Sequence, residues 1–324
     1  MARSIGIGRG GLILTIIASA VMLIISYIYR GDFVSATDYG VCIASPDLWR
    51  FPAFLSWLMN TLMIWGVAGG LSLLNRNFNF IRTTQPIFPA VFLMLCTLNP
   101  WLTCRISSGV LLCVINLISM SLLFVSYDSR NATQNTFVVG TLMGLGTMFN
   151  YAFLPYAGLF IVLMAIMKIL RVKEFFAYGL GFVGSYWIGI GLGMIPLEAF
   201  RWPPLAYHMP EGLHGTESNL LLISTGVVAL AGLIAGVASG AKPYAGTSRF
   251  NSMNLCITLL GLISAILIIV NPININSYLA TLYMAVACYI ANFCAIWQLR
   301  HEWAVTTGVG VVAIGFFIAL MIIH

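Results

Sequence analysis

The sequence predicts an all-α fold, a polytopic transmembrane helical bundle of about 11 spans with a cytoplasmic N-terminus. Of its 324 residues, 60% are hydrophobic and only 7% are charged, whereas a soluble domain carries roughly 25% charged residues. Apolar runs of roughly 20 residues, the length that a helix needs to cross a bilayer, recur along the chain. Lys and Arg between these runs are concentrated on one predicted side of the membrane.

The predicted spans follow one another through short connections. They are 11–29, 51–74, 86–104, 110–127, 136–150, 153–170, 175–197, 220–240, 253–270, 277–298 and 304–323. The spans 136–150 and 153–170 are short, and the alternative for this region is a re-entrant hairpin with Asn150 and Tyr151 at its tip. With so few charged residues, no stretch remains for a soluble domain, and we interpret 1–324 as a single integral membrane domain.

The distribution of basic residues orients the predicted bundle. A cytoplasmic N-terminus puts eleven Lys and Arg on the cytoplasmic side and four on the outer side, which agrees with the positive-inside rule. The four outer residues are Arg30, Arg50, Arg105 and Arg201. The polar loops 30–50 and 198–219 therefore face outward. The net charge of +6 is spread singly between apolar runs, so we predict no nucleic-acid partner.

Cysteine and glycine patterns indicate packing. Six of the seven cysteines lie in or beside apolar runs without a CxxC motif, which is typical of small buried side chains. His208 and His214 are spaced poorly for zinc, and we predict neither a metal site nor a cofactor. Glycines spaced by four predict helices that approach closely at one face. The glycine-rich spans, in which several glycines are four residues apart, are the fifth (Gly140, Gly144 and Gly146), the seventh (Gly179, Gly184, Gly189, Gly191 and Gly193) and the eighth (Gly232, Gly236 and Gly240).

The candidate site residues lie in the outer loops and at one polar break. No acidic residue falls in the middle of a predicted span, which disfavours an ion-coupled pump. The acids in the outer loops are Asp32, Asp38, Asp47, Glu198, Glu211 and Glu217. Asp38 or Asp32 is the candidate catalytic base. The candidates for binding a substrate or lipid phosphate are Arg50, Arg105, Arg201, Asn150 and Tyr151. Solvated loops with snorkelling arginines are the alternative.

Three segments carry a resemblance to a known family. They are LNRNFNFIRTTQPIFPAVFLMLCTLNP, NATQNTFVVGTLMGLGTMFNYAFLPYAGLFIVLMAIM and RVKEFFAYGLGFVGSYWIGIGL, in this order between 74 and 192. The chain resembles an uncharacterised family of multi-span inner-membrane proteins from Bacteroidetes bacteria, a domain of unknown function. This resemblance implies a multi-pass protein of the bacterial inner membrane and brings no activity.

The layout is also similar to that of GT-C glycosyltransferases. A first span, an outer loop with acids, six further spans and a second outer loop place a GT-C-like core at 11–219, with additional C-terminal spans at 220–324. That resemblance implies a polyprenyl-phosphate sugar donor, and Asp32 and Asp38 match the position of the catalytic acid in the first outer loop. The loop here is about 20 residues long, shorter than in those enzymes, and the later loop lacks their acid pair beside an arginine.

Three functions remain open from the sequence. The first is a GT-C-like glycosyltransferase, or a degenerate relative, acting on a polyprenyl-phosphate-linked substrate at the outer face of the bacterial envelope. The second is a non-catalytic scaffold or accessory subunit of an envelope or secretion assembly, with membrane-protein partners. The third is a carrier of lipid or small solutes. Membrane lipid is a predicted partner in all three.

Overall fold

The computed structural model describes residues 9–30, 38, 40–81, 87–129, 131–193, 195, 200, 215–240, 248–297 and 302–322. Within these ranges the chain folds into helices and contains no strand, which confirms the all-α prediction. The α-helices are α1 Arg9–Arg30, α2 Ala53–Phe78, α3 Ile87–Thr97, α4 Pro100–Thr103, α5 Ser108–Val125, α6 Thr133–Phe149, α7 Phe153–Ile166, α8 Val172–Gly191, α9 Gly215–Gly240, α10 Ser248–Val270, α11 Ile275–Trp297 and α12 Glu302–Ile322. Short 3-10 turns, Pro46–Leu48 and Pro272–Asn274, precede α2 and α11.

Seven of the described helices are long and apolar enough to cross a membrane: α1, α2, α5, α9, α10, α11 and α12. Large aliphatic side chains such as Leu14, Leu233 and Ile269 are exposed on these helices, as expected of surfaces that contact lipid. The chain is therefore a membrane protein with several transmembrane helices. The helices α3, α6, α7 and α8, which we also predicted as spans, lie outside this set of seven.

Helix α11 lies at the centre of the bundle. In its span 72% of the residues are buried, compared with 28% in the spans of α1 and α12. It packs against α3, α5, α9 and α10. Small side chains such as Ala280, Ala285, Ala287 and Ala291 are fully buried along it, so that neighbouring helices approach from several sides. Tyr278 and Tyr283 of the same helix are also fully buried.

Helix termini meet at two ends of the bundle, which we name the Asn150 end and the Arg249 end. At the Asn150 end, the α6–α7 connection contacts Ser277 in the first turn of α11, and Ser277 contacts Ser108 in the first turn of α5. At the Arg249 end, the first turn of α10 contacts the last residues of α2 and α5 through Phe78 and Phe124. The connection after α5 bonds to the end of α7 there, since Asp128 N donates to Met167 O.

The helices α6 and α8 approach each other most closely, as the glycine pattern predicted. A Cβ added to Gly140 or Gly144 would overlap the backbone of α8, and one added to Gly181 would overlap the backbone of α6. Gly181 lies in the glycine-rich segment GLGFVG at 179–184, so this segment contributes to helix packing. By contrast, nothing lies within 4 Å of a Cβ built on Gly179 or Gly184. The predicted contact face is therefore right for α6 and shifted to Gly181 on α8.

Three predicted boundaries are wrong. The span 86–104 is interrupted, because Asn99 caps a separate short helix by accepting a hydrogen bond from Trp101 N. Helix α8 ends at Gly191, six residues before the predicted end. Helix α9 begins at Gly215, so Glu217 lies in its first turn rather than in an outer loop. In each case a polar side chain or a glycine at the helix terminus outweighs the surrounding hydrophobicity.

Candidate functional site

The polar break between α6 and α7 forms at Asn150. Its backbone leaves the helical region, with φ −156° and ψ 129°, and its side-chain Oδ1 accepts a hydrogen bond from Ala152 N at the start of α7. The last carbonyls of α6 need partners outside the helix. Met148 O finds them in the outer loop, where it accepts hydrogen bonds from the backbone N–H groups of Val41, Cys42 and Ile43. The break therefore fastens the loop after α1 onto the hairpin tip.

Asn150 belongs to a buried network that we call the polar cluster, comprising Asp38, Ser45, Asp47, Ser108, Asn150, Asn274 and Ser277. Asn150 Nδ2 donates to Ser277 Oγ at 3.3 Å, and Asn150 Oδ1 accepts from Asn274 Nδ2 at 3.2 Å. The hydroxyls of Ser277 and Ser108 are 2.9 Å apart. Three helix termini thus share one network. The serines and asparagines of the cluster are buried, and since they are hydrogen-bonded to each other they fix the register between helices.

Asp47 caps α5 within this cluster. Its Oδ1 accepts from Ser108 N at 3.2 Å, and its Oδ2 accepts from Ser45 Oγ at 2.8 Å. A carboxylate beside a helix N-terminus is stabilised by the orphan N–H groups and by the helix dipole. Burial opposes this effect and raises the pKa of Asp47, while the hydrogen bonds from Ser108 and Ser45 lower it. The net result is an aspartate that serves as a structural acceptor.

Asp38, the first candidate for the catalytic base, holds the loop in shape. Its Oδ1 accepts two backbone hydrogen bonds of 3.0 Å, from Gly40 N and Ser45 N. Such contacts from a short acidic side chain to the following backbone stabilise turns. Asp38 itself is half-buried. Asp32 and Arg201, the other candidates in the two outer loops, lie outside the described residues.

The remaining candidates occupy separate places at the same end. Arg105 is half-buried and donates from Nη2 to Phe51 O at 3.2 Å, which ties the end of α4 to the start of α2. Arg50 is exposed. Tyr151 is buried and its hydroxyl accepts from Asn271 Nδ2 at 2.9 Å, which also donates to Tyr278 Oη. The structure thus brings Asp38 and Asn150 into one network, and it links Tyr151 to Tyr278 of α11 through Asn271, the residue that follows α10.

A buried ion pair adds a second fastening at this end. Arg30, the last residue of α1, donates from Nη2 to Glu217 Oε1 at 3.1 Å and to Leu320 O at 3.0 Å. Its guanidinium lies 4.1 Å from the centroid of the Trp101 ring. Arg30 meets the C-terminal ends of α1 and α12, and Glu217 the N-terminal end of α9, so each charge complements the local helix dipole. The pair joins α1, α4, α9 and α12.

Sequence reasoning missed most of the groups that build this end. Asp47 and Glu217 were noted as loop acids, without partners. Ser108, Asn274 and Ser277 lie in the segments RISSG and NPININS, where serine and asparagine concentrate beside helix boundaries. Such clusters indicate helix N-termini. The missing information was which termini meet, since that depends on contacts between residues more than 100 positions apart.

The described part of this end provides hydrogen-bond acceptors that are already engaged with the fold. Among the described residues, no three His, Cys, Asp or Glu side chains are grouped so that they could hold a metal ion. The carboxylates of Asp38 and Asp47 accept hydrogen bonds from the backbone, and Glu217 is paired with Arg30. Comparison of the chain with known protein families, with characterised proteins and with solved structures finds no match.

Proposed function

We propose that this chain is a multi-pass protein of the bacterial inner membrane that acts without catalysis, as a scaffold or accessory subunit of an envelope or secretion assembly. The observation that supports this role most directly is that the described carboxylates at the Asn150 end make structural contacts with the protein itself. Asp38 shapes a loop, Asp47 caps α5, and Glu217 neutralises Arg30. A general base needs a lone pair directed at a substrate proton, whereas Asp38 Oδ1, both oxygens of Asp47 and Glu217 Oε1 accept hydrogen bonds from the protein's own donors.

The proposed topology has eleven passes with the Arg249 end in the cytoplasm. The meeting of helix termini at two ends supports eleven crossings, with α3 and α4 counted as one. The hairpin of α6 and α7 supports complete passes rather than a re-entrant pair. Its tip contacts Ser277 at the start of α11, which in turn bonds to Ser108 at the start of α5, while Met167, just after α7, contacts the segment after α5. The excess of Lys and Arg in the loops at the Arg249 end supports the cytoplasmic assignment.

A substitution pair at Asp38 separates the structural role from the catalytic one. Asp38→Asn keeps the acceptor oxygen for Gly40 N and Ser45 N, so we expect wild-type thermal stability and full complementation of a strain that lacks the gene. Asp38→Ala removes that oxygen, and we expect a loss of about 1.5–3 kcal/mol. The opposite pattern, with Asp38→Asn stable but unable to complement, would reject the scaffold and support the glycosyltransferase.

The glycosyltransferase remains the second candidate because Asp38 is only half-buried and faces the predicted outer side. It predicts sugar transfer from a polyprenyl-phosphate donor by the purified wild type, with loss of transfer in Asp38→Asn. The scaffold predicts instead that in vivo crosslinking and mild-detergent purification recover the same membrane proteins in fixed stoichiometry. A clean monomer that retains polyprenyl phosphate would contradict the scaffold.

Cys42 tests the topology without engineering, because it is the one cysteine of the seven that is not buried. In intact spheroplasts we expect a membrane-impermeant maleimide to label the wild type and not Cys42→Ser. Burial raises the pKa of the Cys42 thiol, so labelling should be slow at neutral pH and faster as the pH rises. The exposed Ser248, replaced by cysteine in the Cys42→Ser background, should react only in inverted vesicles. The reverse pattern would invert the topology.

A further inference from the structure

An apolar groove of about 500 Å³ runs between α2 and α5 on the flank of the bundle. Its walls are formed by Met63, Gly66, Val67, Gly70, Leu73, Leu74, Asn77 and Phe78 of α2 and by Val114, Leu117, Ile118, Ser121, Leu122 and Val125 of α5. Ligand sites in proteins typically enclose roughly 300–1,000 Å³. The groove is therefore large enough for one small apolar ligand or one chain of a lipid.

Glycines on α2 give the groove its depth. A Cβ built on Gly66 would meet nothing within 4 Å, so the missing side chain leaves open space. Gly70, one turn further, lets the side chain of Leu117 lie against the backbone of α2. Spacing of four residues places both glycines on the same face of the helix. A larger residue at Gly66 would fill the groove without displacing a neighbour.

The polar groups of the groove lie toward one of its ends. Asn77 lies near the C-terminus of α2 and is exposed, and Ser121 lies on α5, one turn before its end. The lining above them is aliphatic. On α5 the lining extends from Val114 to Val125, which at 1.5 Å per residue is about 17 Å. One leaflet of a bilayer, half of a hydrocarbon core of roughly 30 Å, has a similar depth.

A cation is fixed at the polar end of the groove. Arg249 donates from Nη2 to Phe124 O at 3.4 Å, and its Cζ lies 5.7 Å from the centroid of the Phe78 ring and 5.8 Å from that of Tyr127. Phe78 is itself part of the groove wall. The side chain of Arg249 is exposed. A guanidinium held over aromatic rings keeps N–H donors available for a phosphate, which it binds in a bidentate manner.

From these contacts we propose that the groove binds one acyl chain of an anionic glycerophospholipid from the adjoining leaflet, with its phosphate on Arg249. The order of groups along the groove matches such a lipid, with the cation first, Asn77 at headgroup and glycerol depth, and aliphatic walls beyond. Arg76, exposed in the last turn of α2, adds positive charge at the same level. This site is independent of the proposed scaffold role and of which end faces the cytoplasm.

The test titrates palmitoyl-oleoyl phosphatidylglycerol, and separately the matching phosphatidylcholine, into detergent-purified protein and counts bound lipid by native mass spectrometry. Gly66→Leu should reduce the binding of both lipids, because it occupies the path of the chain. Arg249→Gln should weaken phosphatidylglycerol about fivefold, the value of one basic residue near an anionic headgroup, and leave phosphatidylcholine unchanged.

Two control variants make the result specific. Gly69→Leu adds the same side chain three residues further along α2, where a Cβ also meets nothing within 4 Å. Gly69 lines a different and smaller groove. Arg171→Gln removes an exposed charge at the same end of the bundle. Both should bind phosphatidylglycerol like the wild type. Equal losses in the controls, or no loss in Gly66→Leu and Arg249→Gln, would overturn the proposal. A dimer that Gly66→Leu dissociates would assign the groove to a second copy instead.

Discussion

Replacing Glu217 with Gln tests whether the buried ion pair fastens the helices at the Asn150 end. Gln keeps the size of Glu and one acceptor oxygen, but the positive charge of Arg30 loses its counter-charge. The side chains of Arg30 and Glu217 are 2% and 1% exposed, so water cannot replace the lost partner. Breaking a buried pair by removing one partner costs about 3–5 kcal/mol.

The expected change in melting temperature follows from the size of the chain. Unfolding entropies of about 2.1 cal/mol/K per residue give about 0.7 kcal/mol/K for 324 residues. A loss of about 3–5 kcal/mol therefore lowers Tm by roughly 4–7 °C. The eight tryptophans of the chain allow the transition to be followed by intrinsic fluorescence of detergent-purified protein. Trp101, which packs against Arg30, should report the opening of this end directly.

A double-mutant cycle distinguishes the pair from general damage. Arg30→Gln alone should lower the free energy of unfolding about as much as Glu217→Gln does. The double variant should lose less than the sum of the two single losses, and we expect this coupling energy to be at least about 1 kcal/mol. Arg171→Gln serves as the control, because Arg171 is exposed and surface charges contribute about 0–1 kcal/mol. Additive losses, or a Glu217→Gln protein that melts within about 1 °C of the wild type, would refute the reasoning.

Three further predictions concern the cluster and the helix contacts. Burial raises the pKa of Asp47 above its unfolded value of 3.8, so folding favours the protonated form. The resulting stability is present at low pH and lost as the pH rises, so the Tm of the wild type minus that of Asp47→Asn should fall as the pH rises above the unfolded value. Gly181→Leu should lower stability by at least about 1–3 kcal/mol, because its side chain meets the carbonyl of Phe137, whereas Gly184→Leu should be tolerated. Asn150→Ala should cost about 1–3 kcal/mol in the same melting assay, since it strips buried partners of their acceptor; an unchanged Tm would deny the cluster a structural role.

The sequence predicted the features that depend on local composition. Apolar runs predicted the seven described helices that are long and apolar enough to cross a membrane, because a segment in lipid must satisfy its own backbone hydrogen bonds. The glycine spacing predicted that helices approach closely at glycine-bearing faces, as α6 and α8 do, but not that these two are partners. The pair Asn150-Tyr151 predicted the break between α6 and α7. Each of these signals lies within one segment of about 20 residues. The basic residues predicted an orientation that remains a proposal.

The polar contacts between segments could not be predicted in this way. Arg30 and Glu217 are 187 positions apart, and each alone is explained by an interfacial charge at a helix end. Asp47 and Ser108 belong to different loops, and hydrophobic patterning carries no information on which helix termini meet. The break at Asn99 was missed because proline and asparagine in an apolar run are tolerated in membrane helices when neighbours supply partners. Whether such a run continues as one helix or is interrupted depends on its contacts with the neighbouring helices.

The two ends of the bundle use charge in opposite ways. The described side chains at the Asn150 end include three basic residues (Arg30, Arg50 and Arg105) and three acidic ones (Asp38, Asp47 and Glu217). At the Arg249 end five basic residues (Arg76, Lys168, Arg171, Lys173 and Arg249) accompany two acids, Asp128 and Glu174. The described charges of the first end are equal in number and opposite in sign, which leaves little net field there for an anionic partner. The excess positive charge of the described side chains at the second end favours anionic headgroups. The basic residues from which we predict the orientation therefore lie at the same end as the arginine that we propose to bind lipid.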